Sequence, residues 1–548
     1  MRRSGGRDRL VKMEKIATRE NGNTWGRTLA SLKRFLYENR WGLVLAFCFT
    51  LICYGFMLTH YTLTIDEETW ICNSDPALIE KLWLKQGRFG LYLFDAVFTP
   101  LGRYVPFVWD FLGIVFWFAG GVVFSFCLSG LAHGAGRWAT GMFTAMFTTV
   151  PLAVGEILSY SMFSLQQGLA MLFVSLSVLC AFLCFDGFRW PAAVGAVLFL
   201  FAGTSFYQAF AVVYITAAAA YLCLSLMYRT GGRVFHNVFL LAGMFAVGVG
   251  IYFSINYYIT NVLYPGSDAY LMSKFVGWEE GNMLSAFTDA LGNVGNVIMG
   301  YGIYGGKALR LLTVLSAAAF CIRLILLIHR REGRAAVGLV VGYAVLFLAP
   351  FSMQLVFAQP AVIGRTLLAL PLSLSVQAFL IVDTTRLLRR AAGVKWIAVG
   401  LLLCVLLGNA VYMNAFFYKS YRVYTEDQNK AMQIVNRLEA EGMNTAEKPV
   451  VFIGMLAQNV YLPADCSAGG SFFAWDNGNI ARMHDFLKAE GYTILSPDAT
   501  QIQDGVRRAE NMPCWPDEGC VVETDGYILV KFSDPSYPWD IVNGAEIS

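Results

Sequence analysis

Charge is what this sequence has least of. Only 14% of its 548 residues are Asp, Glu, Lys or Arg, whereas 57% are hydrophobic. A soluble domain carries about 25% charged residues, so this scarcity excludes an ordinary soluble protein. It indicates an integral membrane protein whose main partner is the lipid bilayer. The net charge of +3 is too small to indicate a further partner.

Motifs for cofactors are missing as well. The five histidines are scattered and no Cys/His spacing matches a zinc site, so we expect no metal and no cofactor. No glycine-rich phosphate loop follows a predicted strand. A user of ATP or of a nucleotide sugar would be expected to need such a loop. Its absence favours a donor carried by a lipid.

The first 40 residues also lack an apolar core followed by a small-residue cleavage site, so we predict no cleaved signal peptide. This segment is basic. Nucleic-acid binding is one interpretation of a basic tail, but beside a membrane span the positive-inside rule is the simpler one. We therefore predict a cytoplasmic tail over residues 1–40 and no nucleic-acid partner.

Long apolar runs fill most of the remaining chain, and about 20 such residues suffice to span a bilayer. Eleven spans are predicted, so the fold class is mainly α, that of a polytopic membrane protein. The break at Gly203-Thr204-Ser205 separates the fifth span from the sixth. The predicted spans are 41–59, 105–130, 139–157, 163–185, 191–205, 208–228, 236–260, 308–328, 335–351, 366–383 and 394–413.

Three segments outside the spans are long: 60–104, about 261–307, and the region after 413. The first two contain few Lys and Arg for their length, which favours an external position. After residue 413, strand and hairpin signals around Val450–Gly454 and Asp525-Gly526 predict a small α/β domain. We therefore predict a transmembrane domain at 41–413 with an external loop at 60–104, and an extracytoplasmic domain at 414–548.

Three consecutive carboxylates, Asp66, Glu67 and Glu68, follow the first span directly. Transfer of a sugar to a hydroxyl needs a carboxylate that accepts the hydroxyl proton. At the edge of the bilayer, such a base could meet a donor whose lipid tail stays in the membrane. The alternative is a solvated loop with acids at a helix start, where carboxylates are favourable. We predict Asp66 and Glu67 as catalytic residues, with that alternative open.

Three cations are candidates for binding a phosphate. Arg88 is flanked by glycines and could present its fork of donors to phosphate oxygens, although a snorkelling arginine is the alternative. Lys307 and Arg365 stand at the starts of late spans on the predicted external side. Each could bind a lipid phosphate from outside, and ordinary interfacial anchoring is the other interpretation.

Polar groups within or beside the spans complete the candidate site. Asp110 and Glu156 are acids in predicted spans, where acids are usually paired or functional. The pairs Gln166-Gln167 and Tyr207-Gln208 could bind a sugar or join neighbouring helices. We predict Glu156, Tyr207 and Gln208 as substrate-binding residues and rank Asp110 lower.

Four motifs stand in a distinctive order along the chain. They are Ile65-Asp66-Glu67-Glu68 followed by Gln86-Gly87-Arg88-Phe89-Gly90, then Gly203 through Tyr207-Gln208-Ala209, then Arg365-Thr366-Leu367 before Leu370-Pro371, and finally Met512-Pro513, Pro516, Gly519 and Val530-Lys531-Phe532-Ser533. Together they resemble a bacterial family, the type II glucosyltransferases related to serotype-converting O-antigen glucosyltransferases. The resemblance covers nearly the whole chain after the basic tail.

The resemblance implies a GT-C-type architecture with the acidic catalytic loop outside the membrane. It also implies a polyprenyl-phosphate-linked sugar donor, typically glucose, and a cell-surface glycan acceptor. The family's loop acid maps onto Asp66. Arg88, Gln208 and Arg365 resemble its other polar positions. The pair Cys514 and Cys520 looks like a departure from the family, and its thiols could be bridged or free.

The expected function is therefore a multi-pass glycosyltransferase of the cell membrane. Arg88, Arg365 and Lys307 would hold the donor phosphate while Asp66 takes the acceptor proton. A transporter or flippase of lipid-linked sugars is the main rival, although no internal repeat typical of transporters is found. A glycan polymerase or ligase would use similar substrates, and a non-catalytic surface anchor would leave the many spans unexplained.

Overall fold

The computed structural model describes residues 24–72, 83–98, 104–132, 136–185, 187–228, 233–264, 283–301, 306–358, 364–388, 392–457 and 470–534. Much of the predicted basic tail lies outside these residues, as do 265–282 and 302–305 of the predicted segment 261–307. The acidic motif, Arg88 and the late cations are all described.

Helices make up most of the described chain. The α-helices are α1 Thr24–Tyr54, α2 Glu67–Cys72, α3 Phe89–Phe98, α4 Val108–Ser129, α5 Arg137–Thr149, α6 Ser164–Phe182, α7 Trp190–Phe206, α8 Phe210–Tyr228, α9 Val234–Tyr258, α10 Met283–Met299, α11 Gly306–His329, α12 Gly333–Leu348, α13 Ser352–Phe357, α14 Leu370–Thr384 and α15 Ala392–Ala440. Helix α5 continues through a π-helical turn at Pro151–Gly155 into the short helix Glu156–Leu158, and a second π-helical turn, Ile259–Leu263, follows α9. Single 3-10 turns lie at Ala349–Phe351, Gly364–Thr366 and Thr385–Leu387.

Eight helical segments of the described chain are long and apolar enough to cross a membrane: α1, α4, α6, α8, α9, α11, α15, and α12 together with the 3-10 turn and α13 that continue it to Phe357. This composition fits a polytopic membrane protein. The three other predicted spans coincide with the shorter helices α5, α7 and α14, of 13, 17 and 15 residues. The total of eleven spans stays a prediction.

Small residues allow the helices to approach closely. A Cβ atom at Gly42 of α1 would lie 2.7 Å from the backbone oxygen of Arg137 and 3.1 Å from Cα of Gly141. A Cβ at Gly168 of α6 would overlap the backbone of Gly113 in α4. Within a bilayer the hydrophobic effect does not drive helices together, so such close backbone packing contributes much of the attraction between them.

Contacts at both ends of the bundle fix the direction of the helices. At one end, the Tyr54 hydroxyl donates to the backbone oxygen of Thr148 at 3.2 Å, and Phe94 packs on Phe206. We call this the acidic end, because the Asp66 loop follows α1 there. At the other end, the Trp138 and Trp396 rings are 5.5 Å apart.

We call that second end the basic end, because most turns between helices there carry arginine or lysine. The buried guanidinium of Arg323 also pairs there with Asp383 at 2.8 Å. Cationic side chains therefore collect at the end of the bundle opposite Asp66. Those in or beside the turns are Arg137, Arg189, Arg233, Arg330, Arg331, Arg334, Arg386 and Lys395.

Beyond the bundle, α15 leads into a small mixed α/β assembly. Strand β1, Val450–Ile453, pairs in parallel with β3, Ile528–Lys531, which pairs antiparallel with β2, Val521–Glu523. Helices α16, Ile480–Ala489, and α17, Ala499–Ala509, complete it, with a 3-10 turn at Trp475–Asn477. The predicted strand at 450–454 and the hairpin at Asp525-Gly526 match these elements. The extent and side of a separate domain stay predictions.

Candidate functional site

The acidic loop is anchored in the core of the C-terminal assembly. Leu63 and Ile65 are 3% and 6% exposed and pack with the buried residues of β1, β3 and α16. Asp66 follows with a φ of 85°, a left-handed conformation that Asp tolerates better than most residues. Its side chain is half exposed, whereas Glu67 and Glu68 are fully buried. Three neighbouring acids thus have different environments.

Glu67 ties the loop to the bundle. One of its carboxylate oxygens accepts from the backbone N–H of Thr64 at 2.9 Å, and the other accepts from the backbone N–H of Met162 at 3.0 Å. The Tyr104 hydroxyl lies 3.5 Å from the same carboxylate. Burial raises the pKa of Glu67 to about 8, with the two N–H donors opposing the shift. Glu67 therefore positions the loop and can hold a proton near neutral pH.

Arg482 of α16 joins three carboxylates. Its Nη2 donates to Asp66 at 2.7 Å, its Nη1 donates to Glu68 at 2.5 Å, and its Nε donates to Asp476 at 3.2 Å. Burial raises the pKa of Glu68 to about 7, and the charge of Arg482 opposes that shift. Arg482 is not among the site residues predicted from the sequence. No local pattern connects residues 66 and 482.

Arg365 lies at the same end of the bundle, in the turn Gly364–Thr366. Its Nη1 is 3.4 Å from the Tyr160 hydroxyl, and its charged neighbours include Glu156 and Asp66. The Tyr207 phenol is also near it. The structure thus brings Asp66, Glu156, Tyr207 and Arg365 into one electrostatic neighbourhood. A guanidinium near two tyrosine hydroxyls can bind an anionic group, and the two carboxylates nearby would weaken that binding.

Arg88 packs on Tyr207, with its guanidinium carbon 4.7 Å from the centre of the tyrosine ring, and Tyr207 connects it with the surroundings of Arg365. The turn before Arg88 is fixed by a residue from another part of the chain, because Gln208 Nε2 donates to the backbone oxygen of Gln86 at 2.6 Å. Gly87 has a φ of +69°, and a Cβ there would lie 2.7 Å from the Tyr252 hydroxyl oxygen. The glycine is required for this close approach. In this structure Gln208 orients the Arg88 turn.

Two other predicted candidates have different surroundings. Lys307 is exposed at the start of α11, at the acidic end, and within the described residues no hydrogen bond or salt bridge joins it to Asp66. Asp110 accepts hydrogen bonds from Ser161 at 2.9 Å and Ser164 at 2.7 Å, and from the backbone N–H of Phe107. Asp110 is therefore a buried anchor between α4 and the start of α6.

Gln166 joins two helices, because its Nε2 in α6 donates to the Asp95 carboxylate in α3 at 3.3 Å. Cys514 and Cys520 are both free thiols in this structure. Across the part of the chain that the structure describes, no group of three or more His, Cys, Asp or Glu side chains could hold a metal ion.

Comparison with known proteins decides the family. The family model described as glucosyl transferase GtrII matches residues 55–382, which is more than half of the chain. The chain belongs to the GtrII glucosyl transferase family. The family predicted from the motifs is thereby confirmed, although the last of the four motifs, from Met512 to Ser533, lies outside the matched segment. Membership supports glycosyl transfer as the activity. No curated protein and no solved structure matches the chain.

The GtrII segment contains Asp66, Glu67, Arg88 and Arg365, but it ends before α15. Arg482 and Asp476 therefore lie outside it. The two ion pairs from α16 to the acidic loop connect the family segment with a part of the chain that the family model does not describe.

Proposed function

We propose that this GtrII-family protein is a GT-C-type glycosyltransferase that moves a sugar, glucose by family, from a polyprenyl-phosphate donor to a cell-surface glycan. The observation that carries the proposal is that Asp66, Arg365 and Tyr207 lie at the same end of the bundle, where the charge of Asp66 acts on Arg365. A base and a phosphate-binding cation at the membrane edge are what such a transfer requires.

In the proposed reaction, Asp66 accepts the proton of the acceptor hydroxyl as its oxygen attacks the anomeric carbon of the sugar. The bond from that carbon to the phosphate oxygen breaks, and polyprenyl phosphate leaves with the bonding electrons. Arg365 and Arg88 would stabilise the charge that develops on the leaving phosphate. Lys307, at the same end, is proposed as a secondary contact for the lipid phosphate.

Glu67 and Gln208 act indirectly in this proposal. Glu67 fixes the loop through Thr64 and Met162, and so sets where Asp66 stands. Gln208 holds the turn before Arg88. Glu156 and Tyr207 would border the donor site beside Arg365. Small displacements of reacting groups cost large factors in rate, so these supports are expected to matter.

The distribution of cations supports an outer location for the site. Arginine and lysine collect in turns at the basic end, and the positive-inside rule places such turns in the cytoplasm. Asp66 and the C-terminal assembly lie beyond the opposite end of the bundle. We therefore propose that the N-terminus is cytoplasmic, that the C-terminal assembly is extracytoplasmic, and that transfer occurs on the outer face.

The test is Asp66→Asn in the purified full-length protein, assayed with labelled polyprenyl-phosphate glucose and a glycan acceptor. Loss of the base should lower the transfer rate by at least about 100-fold. Asp525→Asn, in the exposed turn between β2 and β3, is the matched control and should transfer at the wild-type rate. If Asp66→Asn transfers at the wild-type rate, Asp66 is not the base and the proposed mechanism is wrong. If the wild-type protein itself transfers no glucose in this assay, transport becomes the better interpretation.

A further inference from the structure

We propose that Arg482 is a positioning residue that holds the Asp66 carboxylate in the orientation needed for proton transfer. The inference rests on the proposed function. It also assigns part of the catalytic machinery to a helix outside the segment that the GtrII family model covers.

The geometry of Arg482 suits this role. Its three nitrogens each donate to a different carboxylate: Nη2 to Asp66, Nη1 to Glu68 and Nε to Asp476. Only a planar guanidinium presents donors in such a fork, because a lysine ammonium is a single point charge. Glu68 is fixed by full burial in α2, and Asp476 is placed by the 3-10 turn before α16. The guanidinium is therefore held independently of Asp66.

Helix α16 is itself docked on the acidic loop. The Thr69 hydroxyl donates to the Asp485 carboxylate at 3.2 Å, and the Cys72 thiol donates to the backbone oxygen of Asp485 at 3.0 Å. Met483 and Phe486, on the inner face of α16, are fully buried. These contacts locate the backbone at residue 482 relative to α2, so the guanidinium stands at a set place beside Asp66.

Asp66 depends on that partner. Among the described residues, no other side chain is hydrogen-bonded to its carboxylate, and its side chain is 53% exposed. One carboxylate oxygen binds Arg482, which leaves the other to face an acceptor hydroxyl. A free carboxylate on a left-handed residue would sample several rotamers, and only some would point at the substrate.

A role for Arg482 as a ligand of the donor phosphate is disfavoured by the same contacts. An anion approaching this guanidinium would meet Asp66, Glu68 and Asp476, which surround it at 2.5–3.2 Å. Like charges at such distances repel. Arg365 also has Glu156 and Asp66 in its neighbourhood, but within the described residues its guanidinium forms no salt bridge and contacts a tyrosine hydroxyl at 3.4 Å, so it is the better phosphate ligand.

The experiment compares Arg482→Met with Arg508→Met in the full-length protein, measuring kcat and the donor KM of glucosyl transfer. Misplacing a catalytic group can cost about 100-fold, so Arg482→Met should lower kcat by about 10- to 100-fold while donor KM stays within about 2-fold. Arg508 is an exposed arginine of α17 that pairs with Asp504 at 2.7 Å, and its variant should match the wild type.

A second variant separates positioning from folding. Removing Arg482 leaves the buried Glu68 without its cation, so Arg482→Met alone could fold poorly. The double variant R482M/E68Q removes the buried charge as well. A folded double variant with the same loss of kcat supports the proposal, and one with wild-type kcat overturns it.

The remaining outcomes distinguish the two levels of the argument. If Asp66→Asn is inactive but Arg482→Met keeps the wild-type kcat, positioning is wrong and the proposed function stands. A raised donor KM with unchanged kcat in Arg482→Met would make Arg482 a donor ligand and overturn the inference. Wild-type transfer by Asp66→Asn would show that Asp66 is not the base, so the proposed mechanism and the positioning role of Arg482 would both be wrong.

Discussion

Replacing Glu67 with Gln exchanges one oxygen of a fully buried carboxylate for an NH₂ group. Both oxygens are in use, since one accepts from the N–H of Thr64 at 2.9 Å and the other from the N–H of Met162 at 3.0 Å. In the variant, one of these N–H groups must face another donor. An unsatisfied buried donor costs about 1–3 kcal/mol. That cost does not change with pH.

The wild-type side chain carries a cost that does change with pH. Burial raises the pKa of Glu67 from 4.5 to about 8, so between these values the folded protein holds a proton that the unfolded chain has released. The contribution of Glu67 to stability is therefore most favourable below pH 4.5 and falls by about 1.4 kcal/mol per pH unit as the pH rises to about 8. At pH 8 this penalty reaches about 5 kcal/mol. Glutamine escapes it, because it does not titrate.

The two effects predict a crossover. At pH 5, Glu67→Gln should be less stable than the wild type, whereas at pH 8 it should be more stable. Dividing the hydrogen-bond cost by the pH slope places the crossover between about pH 5 and pH 7. The measurement is the midpoint of thermal unfolding of the detergent-solubilised protein from pH 5 to 8.5.

Glu510→Gln, which alters an exposed acid, is the matched control and should differ from the wild type by the same amount at every pH. A Glu67→Gln variant whose deficit also stays constant with pH would contradict the reasoning. It would show that the N–H donors keep Glu67 ionised in the fold, so that burial is the weaker influence.

Two further predictions concern the bundle. Gly168→Ala should lower the midpoint of thermal unfolding, at a cost of about 1–3 kcal/mol, because the new Cβ would overlap the backbone of Gly113. The control is Gly243→Ala in α9, where a Cβ meets open space, and it should leave the midpoint unchanged or raise it. Equal effects of the two variants would contradict close packing at Gly168. Asp110→Asn should lower the free energy of unfolding by about 1–3 kcal/mol, because its NH₂ group would face one of the donors that Asp110 now accepts from: Ser161, Ser164 or the Phe107 N–H. The kcat per folded molecule should stay at the wild-type value. A lower kcat in folded protein would assign Asp110 to the reaction.

The roles of polar residues show where sequence reasoning stops. The sequence does not reveal what the side chains of Tyr207 and Gln208 contact. It allowed either a role as sugar ligands or contacts between helices. The structure shows Gln208 bound to the Gln86 backbone and Tyr207 beneath Arg88. Asp110 had equally open alternatives, which three hydrogen-bond donors resolve. Such roles depend on partners from distant helices, and periodicity carries no information about those partners.

Local chemistry in the sequence was sufficient for the helical class of the fold, the positions of the long apolar segments, the strands around 450 and 525, and the family. Apolar run length and turn residues act on neighbouring residues, so a linear reading captures them. Only the tertiary structure decided that Glu67 and Glu68 are buried while Asp66 is half exposed, and that Arg482 binds Asp66 across 416 residues of sequence. Burial and long-range ion pairing depend on how α16 docks against α2, and that docking arises from the packing of the whole C-terminal core.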